Sequence, residues 1–245
     1  MPDPLDLAPE IRDRLLGVGT APLASQLQKR GLRNAFIARV APANPLHARM
    51  VGPAYTLRFI PMREDLAVVG SVTDPANPQR AAIERAPAGH VLVIDARGEL
   101  RAGCLGDILA ARLLQRGVAG VVTDGALRDS AELRKLELPI FCAGFAAPPS
   151  FTRIMAADTG RPIACGGVAV FPGDVVVADH DGVVVIPRHL AAEVARDGAE
   201  QERVERFVRR RVDRGASIVG LYPPDQDAMA AYRRWVAAGE DDAAL

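Results

Sequence analysis

Three residues in this chain combine types and spacing that could do chemistry. The stretch "VTDGALRDSAEL", residues 122–133, ends a β-branched run at Thr123 and, after a turn, delivers Arg128 and Asp129 side by side. Upstream, Asp107 follows the Gly103–Gly106 turn and opens a helical pattern. A guanidinium offers paired donors that match a carboxylate. Carboxylates hold hard divalent cations through oxygen and water, and the free amides of a helix start favour an anion. Together these parts suit a site that binds a small organic acid and a metal ion. On spacing alone a plainer account stands beside this one, in which Asp107 caps its helix and Arg128–Asp129 is a surface pair.

Other chemistries find less support. "GVGTAP" and "CGGVAV" complete neither a GxGxxG nor a P-loop pattern and read as turns. His47, His90, His180 and His189 show no metal-ligand spacing. Ser150 and Ser217 lack a nucleophile-elbow context. The only lysines, Lys29 and Lys135, stand in charged surroundings, where a Schiff-base lysine would need desolvation. Cys104, Cys142 and Cys165 are widely spaced and odd in number, as expected of small buried residues in a reducing compartment.

The elements that must position these side chains are legible from periodicity. "LASQLQKRGL" predicts a helix closed by Gly31, and "RMVGPAYTLRFI" a strand with an irregularity at Gly-Pro. "PQRAAIERA" predicts a short helix and "GHVLVIDA" a buried strand. In "LGDILAARLLQRG", apolar residues at 105, 108, 109, 113 and 114 have helical spacing that stops at Gly117. "VAGVVT" follows as a strand, so residues 90–123 form a βαβ unit with parallel strands. Strand C-termini and helix N-termini meet at one rim of such a sheet, which is where ligands bind. Asp107 and Arg128–Asp129 both fall on that rim.

"LPIFCAG", "PIACGGVAVF", "DVVVAD" and "GVVVIP" then read as short strands, partly antiparallel, with no helix between the last three. Residues 188–215 predict a long charged amphipathic helix interrupted at Gly198. The remainder is broken by prolines and then helical, and it carries the only tryptophan, Trp235. The expected organisation is one α/β domain over 1–213, with a helical C-terminal extension over 214–245.

In its 245 residues, thirty basic side chains balance thirty acidic ones, which leaves no global footprint for nucleic acid. Apolar runs such as "HVLVIDA" are strand-length and too short for a bilayer. The acidic, amphipathic start lacks a signal-peptide layout, so a cytoplasmic protein without membrane or nucleic-acid partners is expected.

The segment "GDILAARLLQRGVAGVVTDGALRD" resembles the core of the RraA-like proteins, which include the class II, metal-dependent 4-hydroxy-4-methyl-2-oxoglutarate/4-carboxy-4-hydroxy-2-oxoadipate aldolases. The aldolases' pattern of an aspartate, twenty residues and Arg-Asp is matched by Asp107, residues 108–127 and Arg128–Asp129. "VGPAYTLRF" and "FPGDVVVADHDGVVVIP" are similar to the flanking segments, so the likeness covers about residues 15–210. Glu132 also matches a variant of the pattern.

The resemblance implies a layered α/β/β sandwich of swivelling-domain type with a mixed sheet. It also implies retro-aldol cleavage of a 4-hydroxy-2-oxo acid to pyruvate through a metal-stabilised enolate, with oxaloacetate decarboxylation at the same site. In that picture Arg128 and the backbone of Gly106, Asp107, Ile108 and Leu109 hold the substrate carboxylate. Asp129 binds Mg²⁺ or Mn²⁺, and Asp107 orients water on the metal. The implied assembly is a homotrimer or a dimer of trimers (a hexamer), in which a carboxylate from a neighbour's C-terminal helix, Glu202 or Glu205, completes the site. That helix carries many carboxylates, and a solvated face is the more ordinary account of them. Family members that regulate ribonuclease E by protein contact lack the first aspartate, which Asp107 supplies here. A hydratase or sugar-acid aldolase using the same site remains a second enzymatic alternative. The walls that read the far end of the substrate are expected to come partly from "RFIPMREDLAVVGSVTDPANP".

Overall fold

The computed structural model describes residues 7–66 and 74–241. The chain opens with α1 (Pro9–Leu16) and α2 (Thr20–Lys29), followed by β1 (Phe36–Ile37), β2 (Ala41–Pro42) and the long β3 (Met50–Pro61). Next come α3 (Pro78–Arg85), β4 (Val91–Asp95), α4 (Asp107–Gln115), β5 (Gly120–Thr123), β6 (Ala126–Leu127) and a single turn, α5 (Ser130–Leu133). The strands β7 (Ile140–Cys142), β8 (Gly144–Phe145), β9 (Ile154–Thr159), β10 (Ile163–Cys165), β11 (Val168–Val170), β12 (Val175–Asp179) and β13 (Gly182–Ile186) follow. Two helices, α6 (Ala191–Asp213) and α7 (Gln226–Ala237), close the described chain.

Among the described residues, nine strands form one mixed sheet in the order β1-β13-β12-β3-β4-β5-β7-β2, with β9 also paired to β3. β3, β4, β5 and β7 run parallel, and the strands on either side are antiparallel. Period-2 alternation sorts the β-branched side chains between the faces. Leu92 and Ile94 pack with α3 and α4, whereas Val91 and Val93 pack beneath the β10–β11 hairpin. In β12, Val175 and Val177 face α1, α2 and α6, while Val176 and Ala178 face the hairpin side. The result is a helix layer, a mixed sheet and a small β layer, with each fully buried Val, Leu or Ile contributing about 1.5–3 kcal/mol.

Two local expectations are corrected. β3 runs unbroken through Gly52-Pro53, and its register shift falls between Arg58 and Phe59, opposite β9. α6 is continuous through Gly198. A Cβ there would lie 3.0 Å from Val18 and 3.1 Å from Leu23, so this glycine marks close helix packing rather than a break. The segment expected to supply pocket walls lies partly outside the described residues, at 67–73.

The extension folds back on α6. Phe207 and Tyr232 meet edge to face at 5.7 Å between ring centroids, and Trp235 is fully buried beside them. Among the described residues no helix is long and apolar enough to cross a membrane.

The start of α2 is clasped by two carboxylates. Asp179 Oδ2 accepts from the Thr20 amide at 2.7 Å, and its Oδ1 accepts from the Thr20 hydroxyl at 2.6 Å and the Asp181 amide at 2.9 Å. Glu202 Oε1 accepts from the Gly19 amide at 2.7 Å. Burial pushes the Asp179 carboxyl up, but the bonds from Thr20 and Asp181 and the nearby Arg49 guanidinium outweigh it and hold the pKa below its ordinary value. A depressed carboxyl stabilises the fold fully above the unfolded carboxylate range near 4 and loses that contribution as pH falls through the folded value. Asp179→Asn is therefore expected to lower the urea midpoint at neutral pH. Titrating both proteins should show the gap closing as pH drops below about 4; a gap independent of pH would contradict the clasp.

Candidate active site

α4 begins where the rim of the parallel strands turns outward. Gly106 is its N-cap, with extended backbone, and Asp107 is the first helical residue. The capping role considered for Asp107 is therefore not the one it has. Its Oδ1 accepts from the neighbouring Ile108 amide at 2.8 Å, and no side chain caps the helix. Of the four backbone amides expected to hold an anion, that of Ile108 is thus engaged by Asp107, and that of Gly106 has no acceptor among the described residues. Those of Asp107 and Leu109 have no acceptor among the described residues. The Leu109 side chain packs against the core beneath α4, so its backbone alone can serve a ligand.

Arg128 and Asp129 reach this helix start through a short backbone zipper. The Cys104 amide donates to Ala126 O at 2.8 Å, the Arg128 amide to Leu105 O at 3.0 Å, and the Ala146 amide to Leu127 O at 2.8 Å. β6 and β8 pair in parallel alongside. Asp129 then takes a left-handed conformation, with φ 62° and ψ 43°, and starts α5. Aspartate tolerates this region better than most residues, though still at a cost on the order of 1 kcal/mol.

The turn brings its carboxylate back against Gly106, where a Cβ would stand 2.6 Å from Asp129 Oδ2. Only a residue without a side chain lets the carboxylate sit over the α4 start. Arg128 Nε donates to Asp129 Oδ2 at 3.2 Å. The two Nη groups of Arg128 have no partner among the described residues, which leaves a fork for an incoming carboxylate.

These residues line an open cleft of about 720 Å³. Asp107, Ile108, Arg128 and Asp129 form one side, Ser130 to Glu132 another, and Phe145 to Ala147 a third. Sequence reasoning missed the Phe145–Ala147 wall. It starts in β8, a two-residue strand defined by its pairing with β6, and runs on through Ala146 and Ala147, and "GFAAPP" alone carries no such signal.

Asp95 and Asp124 also stand at the rim, but both are bound to backbone. Asp124 accepts from the Ala96 amide at 2.8 Å and the Gly166 amide at 3.3 Å, and burial raises its carboxyl pKa. All three cysteines are buried. Burial pushes Cys104 to about 12 and Cys142 to about 11, which removes them as nucleophiles.

Glu202 and Glu205, the expected contributors from the C-terminal helix, do not line the cleft of their own chain. Glu202 is tied to Gly19, while Glu205 accepts from Gln201 Nε2 at 2.8 Å and borders two surface grooves on α6. Among the described residues, no three His, Cys, Asp or Glu side chains converge to hold a metal ion. The cleft nevertheless offers oxygen donors alone: Asp107, Asp129 and Glu132 against one guanidinium. That donor set fits a hard ion such as Mg²⁺, which takes one or two protein carboxylates and fills its sphere with water and substrate oxygens.

The chain is similar to several known proteins. Protein DlpA of Legionella pneumophila is 26% identical over 215 residues, which cover 87% of this chain but 33% of that protein, so the chain spans about a third of its length. A 4-hydroxy-4-methyl-2-oxoglutarate aldolase of Thermus thermophilus is 38% identical over 145 residues, covering 57% of this chain and 77% of the relative. The crystal structure of Streptomyces coelicolor RraAS2, an unusual member of the RNase ES inhibitor RraA protein family, superposes with a TM-score of 0.75 at 34% identity. That match covers 83% of this chain and 97% of the other. Residues 11–185, which include the whole cleft, match the family described as Aldolase/RraA, and the chain belongs to this RraA-like family.

Proposed function

We propose that the chain is a divalent-metal-dependent lyase that cleaves a 4-hydroxy-2-oxo acid to pyruvate. One observation carries this reading: a free Arg128 fork, unoccupied α4 amides and oxygen-only acidic groups share one cleft. Relatives named as aldolases support it.

Arg128 and the Asp107 and Leu109 amides would hold the C1 carboxylate and fix the 2-oxo group beside Asp129. Asp129 would hold Mg²⁺ or Mn²⁺, and Asp107 would order water at the helix start. When bound, the cation supplies Lewis-acid stabilisation of the charge that develops on the 2-oxo oxygen. The C4 hydroxyl gives up its proton, the C3–C4 bond breaks, and its electrons pass into the enolate of pyruvate, which is then protonated at C3. Donors fixed before reaction stabilise that charge without reorganising. Loss of CO₂ from oxaloacetate gives the same enolate, so the cleft suits both reactions. In a trimer or hexamer, Glu202 or Glu205 of a neighbouring copy would accept the hydroxyl proton; each has one carboxylate oxygen engaged, by the Gly19 amide and by Gln201 Nε2 respectively, and one left for it.

Incubation with 4-hydroxy-4-methyl-2-oxoglutarate is expected to release pyruvate with added Mg²⁺ or Mn²⁺ and to stop after treatment with EDTA. Full turnover in chelator would rule out the metal. No release from any 4-hydroxy-2-oxo acid or oxaloacetate would favour the regulatory role that the RraAS2 likeness suggests.

Arg128→Lys keeps the charge but loses the planar fork. It is expected to cost about 2–4 kcal/mol of transition-state stabilisation, read as kcat/KM. A variant within a fewfold of the parent would remove Arg128 from the anchoring role.

Gly106→Ala should displace Asp129 and lower activity roughly 10–100-fold, as loss of a supporting group typically does. The unfolding midpoint should move little. Unchanged steady-state kinetics would show that the close approach has no functional weight.

A further inference from the structure

A second cavity, of about 530 Å³, opens on the helix layer at the far end of β4 from the cleft. The start of α1 supplies Leu7, Pro9 and Arg12 to its walls, and the sheet side supplies Pro53, Ala88 and His90. β4 is five residues long, so roughly 16 Å of strand separates this cavity from the Asp107–Arg128 rim. Its size is that of a small-molecule pocket.

His90 is the unusual wall. The Ala119 amide donates to His90 O at 2.8 Å, so the ladder between β4 and β5 already runs through this residue. Alternation then turns the His90 side chain to the face of Leu92 and Ile94, which is the helix layer. His90 is 2% exposed. Its Nδ1 lies 3.4 Å from Ala88 O, and its buried Nε2 has no partner among the described residues. A neutral imidazole carries one N–H. The Ala88 carbonyl draws that proton to Nδ1 and leaves a lone pair on Nε2, and an unmet acceptor in the interior is a standing cost.

Arg12 complements this acceptor. It is exposed on the first turn of α1 and has no ion-pair partner among the described residues. The remaining walls are apolar side chains and a glycine. One cation, one buried acceptor and an apolar middle therefore share one cavity.

We propose that this cavity is a second small-molecule site, for a monocarboxylic acid whose apolar chain carries a hydroxyl. Arg12 takes the carboxylate, His90 Nε2 accepts from the hydroxyl, and Leu7, Pro9, Pro53 and Ala88 cover the carbons. α1 has no side-chain cap, so its first turn yields by the little that a hydroxyl needs to reach the ring. The cavity offers neither a carboxylate for a metal ion nor a second guanidinium for a dicarboxylic acid, which separates its ligand from the acids proposed for the cleft.

The test titrates protein carrying ¹⁵N-labelled histidines with the terminal hydroxy acids from 4-hydroxybutanoate to 8-hydroxyoctanoate, read at the ring nitrogens. His90→Phe assigns the His90 signals. At least one acid should move the Nε2 signal saturably in the millimolar range. It should bind about fivefold tighter than the unsubstituted acid of equal length, as one hydrogen bond predicts. Arg12→Gln should weaken it about fivefold or more. By calorimetry, His90→Phe should lose the preference for the hydroxyl, and Arg128→Gln, which disables the fork of the cleft, should change nothing. No saturable shift with any acid of the series overturns the proposal, as does equal affinity with and without the hydroxyl. A shift that disappears in Arg128→Gln places the ligand in the cleft and overturns it too. Should His90→Phe fail to fold, Arg12→Gln on the surface decides, and an affinity equal to the parent's refutes the site.

Discussion

Strand β3 must satisfy three neighbours with one backbone. Over twelve residues it pairs with β12 at Met50–Pro53, with β4 at Ala54–Arg58 and with β9 at Leu57–Pro61. An unpaired buried amide or carbonyl costs about as much as a lost hydrogen bond with its desolvation. Every other layer inherits its position from this strand. The antiparallel half beyond β12 carries α1, α2 and α6, and the parallel half beyond β4 carries α3 and α4. The β10–β11 hairpin closes the opposite face over Val91, Val93, Val176 and Val185.

The cleft depends on that arrangement at its parallel end. β4 and β5 set the height at which the helix start and the Arg128 turn emerge, and the 103–105 to 126–128 zipper joins them. Two local constraints then act together. Asp129 accepts a left-handed backbone, and Gly106 supplies the empty volume into which its carboxylate turns. Neither residue is useful without the other. The geometry places a carboxylate, a guanidinium and helix-start amides within one open volume, where the helix dipole and the fork favour an anion and the carboxylates favour a cation.

The C-terminal helices belong to a different economy. α6 spans 23 residues, its first half packed on α1 and α2 and its second half joined to α7 through Phe207, Tyr232 and Trp235. Glu202 sits between these halves and stabilises the α2 start, which separates it in role from Glu205 one turn further on. Charged residues on this helix thus divide into those bonded to another element and those bonded within the helix. Local patterning does not reveal that division.

The alternation of β-branched runs and helical spacings was enough to place the 90–123 βαβ unit, the helix at 107 and the late β-rich third. Burial of apolar faces dictates those elements, and residue type records burial directly. It also placed Asp107 and Arg128–Asp129 on one rim, because strand ends and helix starts alternate in a βαβ unit. Contacts distant in sequence lay beyond it. β8 and β9 exist through their partners β6 and β3, and Gly198 within the unbroken α6 answers to the close approach of Val18 and Leu23. Tertiary structure also decided that Asp107 bonds its own neighbour's amide and that Phe145 walls the cleft. Periodicity encodes which face a residue turns to the core; which backbone closes against it depends on pairing across the chain, where the steric demand of a single Cβ is enough to choose.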